Sequence, residues 1–237
     1  IAAHAVERYG GFDTWVNDAG VMIWSSIADA PEADMRRVFD TNFWGVVHGC
    51  EVAARHLRTR GGAIINIGSV ESDRAFPLQS IYAASKHAVK GYTDVLRVEL
   101  EADGAPVSVT LIKPGAMGTP MPQHAKDFTG REPKFPPPIY QPEEAAATIL
   151  YAAEHPVRDA FIGSAARMFS SLSNRAPRLM DWISGKFVLP MELGERPSRP
   201  TDNLHRGHAE GEIYGDHQGS SIRPSLYSRA QRHPATM

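Results

Sequence analysis

The chain has 237 residues, 42% hydrophobic and 22% charged, with a formal net charge of −2. Those values suit one soluble α/β domain with a sizeable core and give no pull toward nucleic acid or an anionic membrane. The single cysteine, Cys50, excludes an internal disulfide and suits a reducing cytoplasm, and no apolar run approaches the roughly eighteen residues of a membrane span.

Residues 2–9 read as the end of a helix stopped by Gly10-Gly11. Residues 12–16 read as a short strand that runs into Asn17-Asp18-Ala19-Gly20, where small residues let backbone pass close to a ligand. Residues 31–57 carry one long helical pattern through Met35, Val38, Phe39, Val46 and Cys50. Inside it lies Asn42, a poor interior helix residue because its side chain competes for backbone hydrogen bonds.

The apolar run 63–69 reads as a buried parallel strand, and its terminal Ser69 falls at the crevice where open α/β sheets bind ligands. Tyr82-Ala-Ala-Ser-Lys86 then opens a helix reaching Leu100. Tyr82 and Lys86, four residues apart, share one helix face. An ammonium beside a phenol favours the phenolate and lowers the tyrosine pKa from about 10, which makes the phenol usable in proton transfer. Two small or apolar faces, one through Ala84, Ala88, Gly91, Val95 and Val98 and one through Val89, Thr93, Leu96 and Leu100, predict that this helix is buried on both sides, one face on the sheet and one on a partner.

Residues 107–112 form another apolar strand, leading into Pro114-Gly115-Ala-Met117-Gly-Thr119. Prolines 122, 133, 136, 137, 138 and 142 exclude a long helix from 120–142. Residues 143–154 return to a helical pattern, 159–163 form a short strand, and 176–188 suit an amphipathic helix. Residues 190–237, rich in Pro, Gly, Ser, Arg and His, read as an extended or disordered tail. His205 and His208 within it have metal-ligand spacing but no Cys or acidic cluster beside them, so no metal is expected.

A strand-tip serine thirteen residues before Y-x-x-x-K, an asparagine twenty-seven residues before that serine, N-D-A-G after one strand and P-G-x-x-x-T after another together resemble the short-chain dehydrogenase/reductase family over about residues 1–163. The resemblance implies an α/β fold, a Rossmann-like doubly wound parallel sheet. It also implies NAD- or NADP-dependent hydride transfer between nicotinamide and a small-molecule carbonyl or secondary alcohol. In that reading Tyr82 is the general acid/base, Ser69 hydrogen-bonds the substrate oxygen, and Lys86 lowers the Tyr82 pKa and binds ribose hydroxyls. Asn42 distorts its helix and holds a relay water. The cofactor lies against Asn17, Ala19, Gly20, Tyr82, Lys86, Pro114, Gly115, Met117 and Thr119, with Asp18 departing from the family's asparagine. Segment 120–142 takes the place of the substrate lid, with Trp24, Phe76, Met117 and Met121 suggesting an apolar pocket. The helices at 31–57 and 80–101 would form the interface of a homo-oligomer.

No glycine fingerprint follows a first strand, and the family register places Ile1 after the third strand. The sequence is therefore read as an N-terminally truncated member lacking roughly 70–80 residues, including the residue that chooses NAD or NADP. A helical extension at 164–189 and the tail at 190–237 complete it. The alternative is an inactive remnant acting as a binding or dimerisation module.

Overall fold

The computed structural model describes residues 1–207, 211–217, 221–222 and 225–232. Helix α1 (Ala2–Tyr9) stops at Gly10, whose φ of 78° is the left-handed turn that glycine permits at a helix C-cap. Strands β1 (Thr14–Asn17) and β2 (Ile23–Trp24) follow. The long helix expected over 31–57 forms as α2 (Glu32–Phe39), a π-helical turn (Asp40–Trp44) and α3 (Gly45–Leu57), with the wide turn centred on Asn42. Next come β3 (Gly62–Ile67), α4 (Ser80–Ala102) and β4 (Val107–Pro114). The proline-rich segment holds only α5 (Met121–His124), β5 (Lys126–Asp127) and β6 (Arg131–Pro133). Then follow α6 (Pro142–Glu154), β7 (Asp159–Ile162), α7 (Ser164–Arg175), α8 (Pro177–Ile183), α9 (Leu189–Glu192), β8 (Leu193–Pro197) and α10 (Leu226–Arg232).

The central sheet is parallel, in the order β1-β3-β4-β7. Its strands are near-continuous apolar runs because both faces are covered. Successive residues point to opposite faces: Ile64 and Leu111 pack with Leu57 of α3 and Val89 of α4, whereas Ile65 and Ile112 pack with Ala152 of α6. Helices on both faces of a parallel sheet make the doubly wound α/β fold expected from the sequence. Among the described residues no helix is long and apolar enough to cross a membrane.

Only one of the two faces predicted for α4 is buried within the chain, through Val89, Thr93 and Leu100, while Val95 and Val98 are 56% and 61% exposed. The extension beyond β7 is fastened to the body. Asp73, between β3 and α4, accepts from Lys113 of β4 at 3.0 Å and from Ser170 of α7 at 2.6 Å, and Arg74 pairs with Asp181 of α8 at 2.9 Å.

The tail predicted as extended or disordered beyond 190 is corrected by its described part. Strand β8 pairs antiparallel with β6. Leu204 is fully buried against Val21, Ile23 and Val38, and its carbonyl accepts from Arg37 Nε at 3.0 Å. Helix α10 returns to the sheet edge, where Ser228 Oγ accepts from the Gly163 N–H at 3.1 Å and Arg232 donates to Thr148 at 3.0 Å. Its composition is too polar for a core of its own, yet the few apolar residues it carries dock onto a core already built.

Candidate active site

The C-terminal ends of β1, β3 and β4 open onto one cavity of about 530 Å³, at the edge where parallel α/β sheets bind ligands and of a size that suits a small molecule. Ser69 lies two residues past β3 and caps a short 3-10 turn, its Oγ accepting from the Glu71 N–H at 3.0 Å. Tyr82 and Lys86 come from the first two turns of α4 and are 6% and 3% exposed. The Ser69 hydroxyl hydrogen-bonds the Tyr82 phenol. Lys86 Nζ donates to the Ile67 carbonyl at 2.8 Å and lies 5.6 Å from the Tyr82 ring centroid.

The electrostatics correct one expectation. The Tyr82 pKa is not lowered but pushed well up, by burial first and then by the charges of Glu71 and Asp18, with the Ser69 hydrogen bond opposing. The same burial brings Lys86 down to about 8, against the pull of Asp18 and Glu71. A phenol out of water is costly to ionise, and a lysine that is itself desolvated offsets that poorly. In this state the phenol is an acid holding its proton.

Gly20, Ser69, Tyr82, Lys86, Pro114 and Gly115 line the cavity, and so do Met117 and Thr119. Phe76 and Met121 also line it, whereas Trp24 is fully buried beneath, packed against Tyr82 and Met22.

Three residues predicted for the site stand outside the cavity wall. Asn42 is fully buried, its Oδ1 accepting from the Val21 N–H at 2.8 Å and its Nδ2 donating to the Val21 carbonyl at 3.0 Å and to Ser85 Oγ at 3.1 Å. It pins the turn bearing Gly20 to the helix that carries Tyr82. The Asn17 side chain turns into the interior: its Nδ2 donates to Asn66 at 2.8 Å and it accepts from Trp15 Nε1 at 2.8 Å. Gly49 of α3 makes room for it, since a Cβ there would sit 2.1 Å from Asn17 Oδ1. Ala19 is exposed. The turn after β1 therefore meets the cavity through Asp18 and Gly20 instead.

Sequence reasoning missed Glu71, Gln79 and Glu192, all of which line the same cavity. Glu71 lies two residues beyond Ser69, a proximity that could have marked it, but Glu192 comes from α9 and has no local signal. No group of three potential metal ligands occurs among the described residues. His205 bonds Asp34 at 2.8 Å, and His208 lies outside the described residues.

The cavity fits a nicotinamide and its ribose on two observations. Among the described residues the Lys86 ammonium has one hydrogen-bond acceptor, the Ile67 carbonyl, and an ammonium has three donors. Beside it, Ile67, Ile112, Pro114, Met117 and Ile162 form an apolar wall suited to a flat ring.

The sequence model of the short chain dehydrogenase family matches residues 1–129. The uncharacterized oxidoreductase YxnA of Bacillus subtilis (strain 168) is 42% identical over 239 residues, covering 99% of this chain and 67% of that protein. Among solved structures, a short chain dehydrogenase/reductase from Burkholderia phymatum in complex with NAD aligns with a TM-score of 0.66 at 23% identity, covering 75% of this chain and 70% of that one. A short chain dehydrogenase from Burkholderia cenocepacia J2315 in complex with NADP aligns with a TM-score of 0.64 at 24% identity, covering 76% and 72%.

Proposed function

The chain belongs to the short-chain dehydrogenase/reductase family, and from that premise we propose that it is an NAD- or NADP-dependent oxidoreductase that interconverts a small-molecule carbonyl and a secondary alcohol. The observation that carries this reading is the meeting of Ser69, Tyr82 and Lys86 on one cavity at the carboxyl edge of the sheet. In reduction, the Ser69 hydroxyl donates a hydrogen bond to the carbonyl oxygen and holds it beside the Tyr82 phenol. Tyr82 gives its proton to that oxygen as the alcohol forms, and oxidation runs the transfer in reverse. A nicotinamide held on this wall would supply or take up the hydride at that carbon. Lys86 serves the ribose hydroxyls with its free N–H donors, Gly20, Pro114, Gly115, Met117 and Thr119 shape the cofactor's bed, and Asn42 and Asn17 position from behind.

The alternative, an inactive binding module, gains nothing from the geometry, which keeps the proton-transfer set together. The exposed Val95 and Val98 on α4, with Val52 and Trp44 on and beside α3, support a homo-oligomer built on these helices. The buried free Cys50 supports residence in a reducing cytoplasm. Dinucleotide-dependent turnover of a panel of ketones and secondary alcohols, followed by nicotinamide absorbance, tests the activity. Absence of turnover with either dinucleotide across the panel contradicts it.

A further inference from the structure

Three residues that line this cavity each carry a buried side-chain oxygen with no hydrogen-bond partner among the described residues: Glu71 Oε2, Gln79 Oε1 and Glu192 Oε2. Their residues are 3%, 2% and 0% exposed. Leaving a buried polar atom unsatisfied is costly, and more so for a charged group. Three such atoms, on residues from separate segments that line one cavity, therefore point to a ligand. The set is also held in place. Gln79 Nε2 donates to Glu192 Oε1 at 2.8 Å, which fixes the amide and leaves its oxygen free to accept, and Glu71 accepts from the Phe76 backbone N–H. The neighbouring wall is apolar, through Phe76, Phe169, Val188 and Met191.

Three free acceptors, two of them on carboxyls, call for a group rich in donors. An anionic ligand brings only acceptors and leaves the Gln79 oxygen without a donor. A single hydroxyl brings one donor. A primary ammonium brings three, with a charge opposite to the carboxylates.

We propose that Glu71, Gln79 and Glu192 form a subsite for a protonated primary amine on an otherwise hydrocarbon substrate, so that the carbonyl or alcohol turned over is an amino ketone or amino alcohol. The assignment of the substrate class rests on the hydride-transfer reading above. Glu71 is two residues from Ser69, so the amine is anchored next to the oxygen that reacts. The charged and titratable groups acting on Glu71 or acted on by it are Glu192, Lys86 and Tyr82. Burial holds Glu71 well above the usual carboxylate range and Glu192 up at about 8, so a bound ammonium expels a proton from the pair near neutral pH.

Calorimetric titration of the chain, with and without dinucleotide, compares phenethylamine with phenethyl alcohol, its hydroxyl isostere. The amine is expected to bind about tenfold tighter or more and to release a proton, read from the difference between two buffers of unequal ionisation heat. Glu192→Gln and Glu71→Gln, each near-isosteric and checked for folding by circular dichroism, are each expected to erase that preference and the proton release. Equal affinity for the two probes, or a preference that survives in either folded variant, overturns the proposal. Tighter binding of the neutral diol styrene glycol than of the amine overturns it too. Binding is read here without turnover, so a silent hydride-transfer assay and a missing amine preference are separate results.

Discussion

Gln79 and Glu192 are 113 residues apart in sequence and 2.8 Å apart in space. The bond joins the residue preceding α4 to the last residue of α9, and it makes the segment beyond β7 one wall of the cavity that Tyr82 occupies. The extension is thus part of the site-bearing unit, and the cavity is lined both by the sheet edge and by the chain that folds back over it.

That buried contact has a signature in pH. Burial raises the Glu192 carboxyl from 4.5 to about 8, so the folded chain keeps a proton that the unfolded chain releases within that window. Stability accordingly falls as pH rises from about 4.5 to about 8, and Glu71, also raised, adds in the same direction. Glu192→Gln removes one of the two contributions. Urea unfolding across this range should show the variant gaining on the wild type by on the order of a few kcal/mol toward the alkaline end. Parallel pH profiles would contradict the assignment.

Asn42 makes three buried hydrogen bonds, two of them to the backbone of Val21. Asn42→Ala leaves the Val21 N–H and carbonyl unpaired out of water, and should destabilise the fold by about 2–4 kcal/mol. It should also lower turnover by loosening the turn that carries Gly20. Unfolding and steady-state rates on the same preparation check both effects, and a stability change below about 1 kcal/mol would mean the clamp does not form.

Leu204 tests the docked tail. Its side chain is fully buried among Val21, Ile23 and Val38, so Leu204→Ala should cost about 2–4 kcal/mol. A disordered tail would register no loss in the same denaturation experiment.

The Lys86 ammonium, brought down to about 8 by burial, offers its donors below that pH and loses one of its three N–H bonds and its charge above it. Dinucleotide affinity should therefore decline as pH rises through about 8. Lys86→Met should weaken binding about tenfold at neutral pH and flatten the decline. Fluorescence titration of the dinucleotide supplies both curves, and a profile unchanged by the substitution would remove Lys86 from cofactor binding.

The parts of this molecule legible in its sequence are those written in local pattern. Continuous apolar runs such as Ile64-Ile65 and Leu111-Ile112 announce buried parallel strands, and Tyr82 and Lys86 fall on one face of α4 because the helix repeats every 3.6 residues. What escaped the reading depends on encounters between distant segments. Glu192 meets Gln79 only after the chain doubles back, and Leu204 docks on Val38 although its neighbours are polar. Asn17 sits in a ligand-side motif but finds Asn66 and the gap left by Gly49 inside the fold. The Tyr82 pKa went the other way because spacing reveals a lysine nearby but not the depth of burial that silences it.

The central claim, that Tyr82 carries the proton transfer, is tested most directly by the turnover number of Tyr82→Phe with a ketone or alcohol accepted by the wild type, alongside dinucleotide affinity. Removing a general acid typically costs 10²–10⁴-fold in rate, so turnover should fall by at least about a hundredfold while the dinucleotide still binds within about twofold, because the ring remains and only its hydroxyl is lost. A fall of less than about tenfold would place the proton transfer on another group and contradict the account.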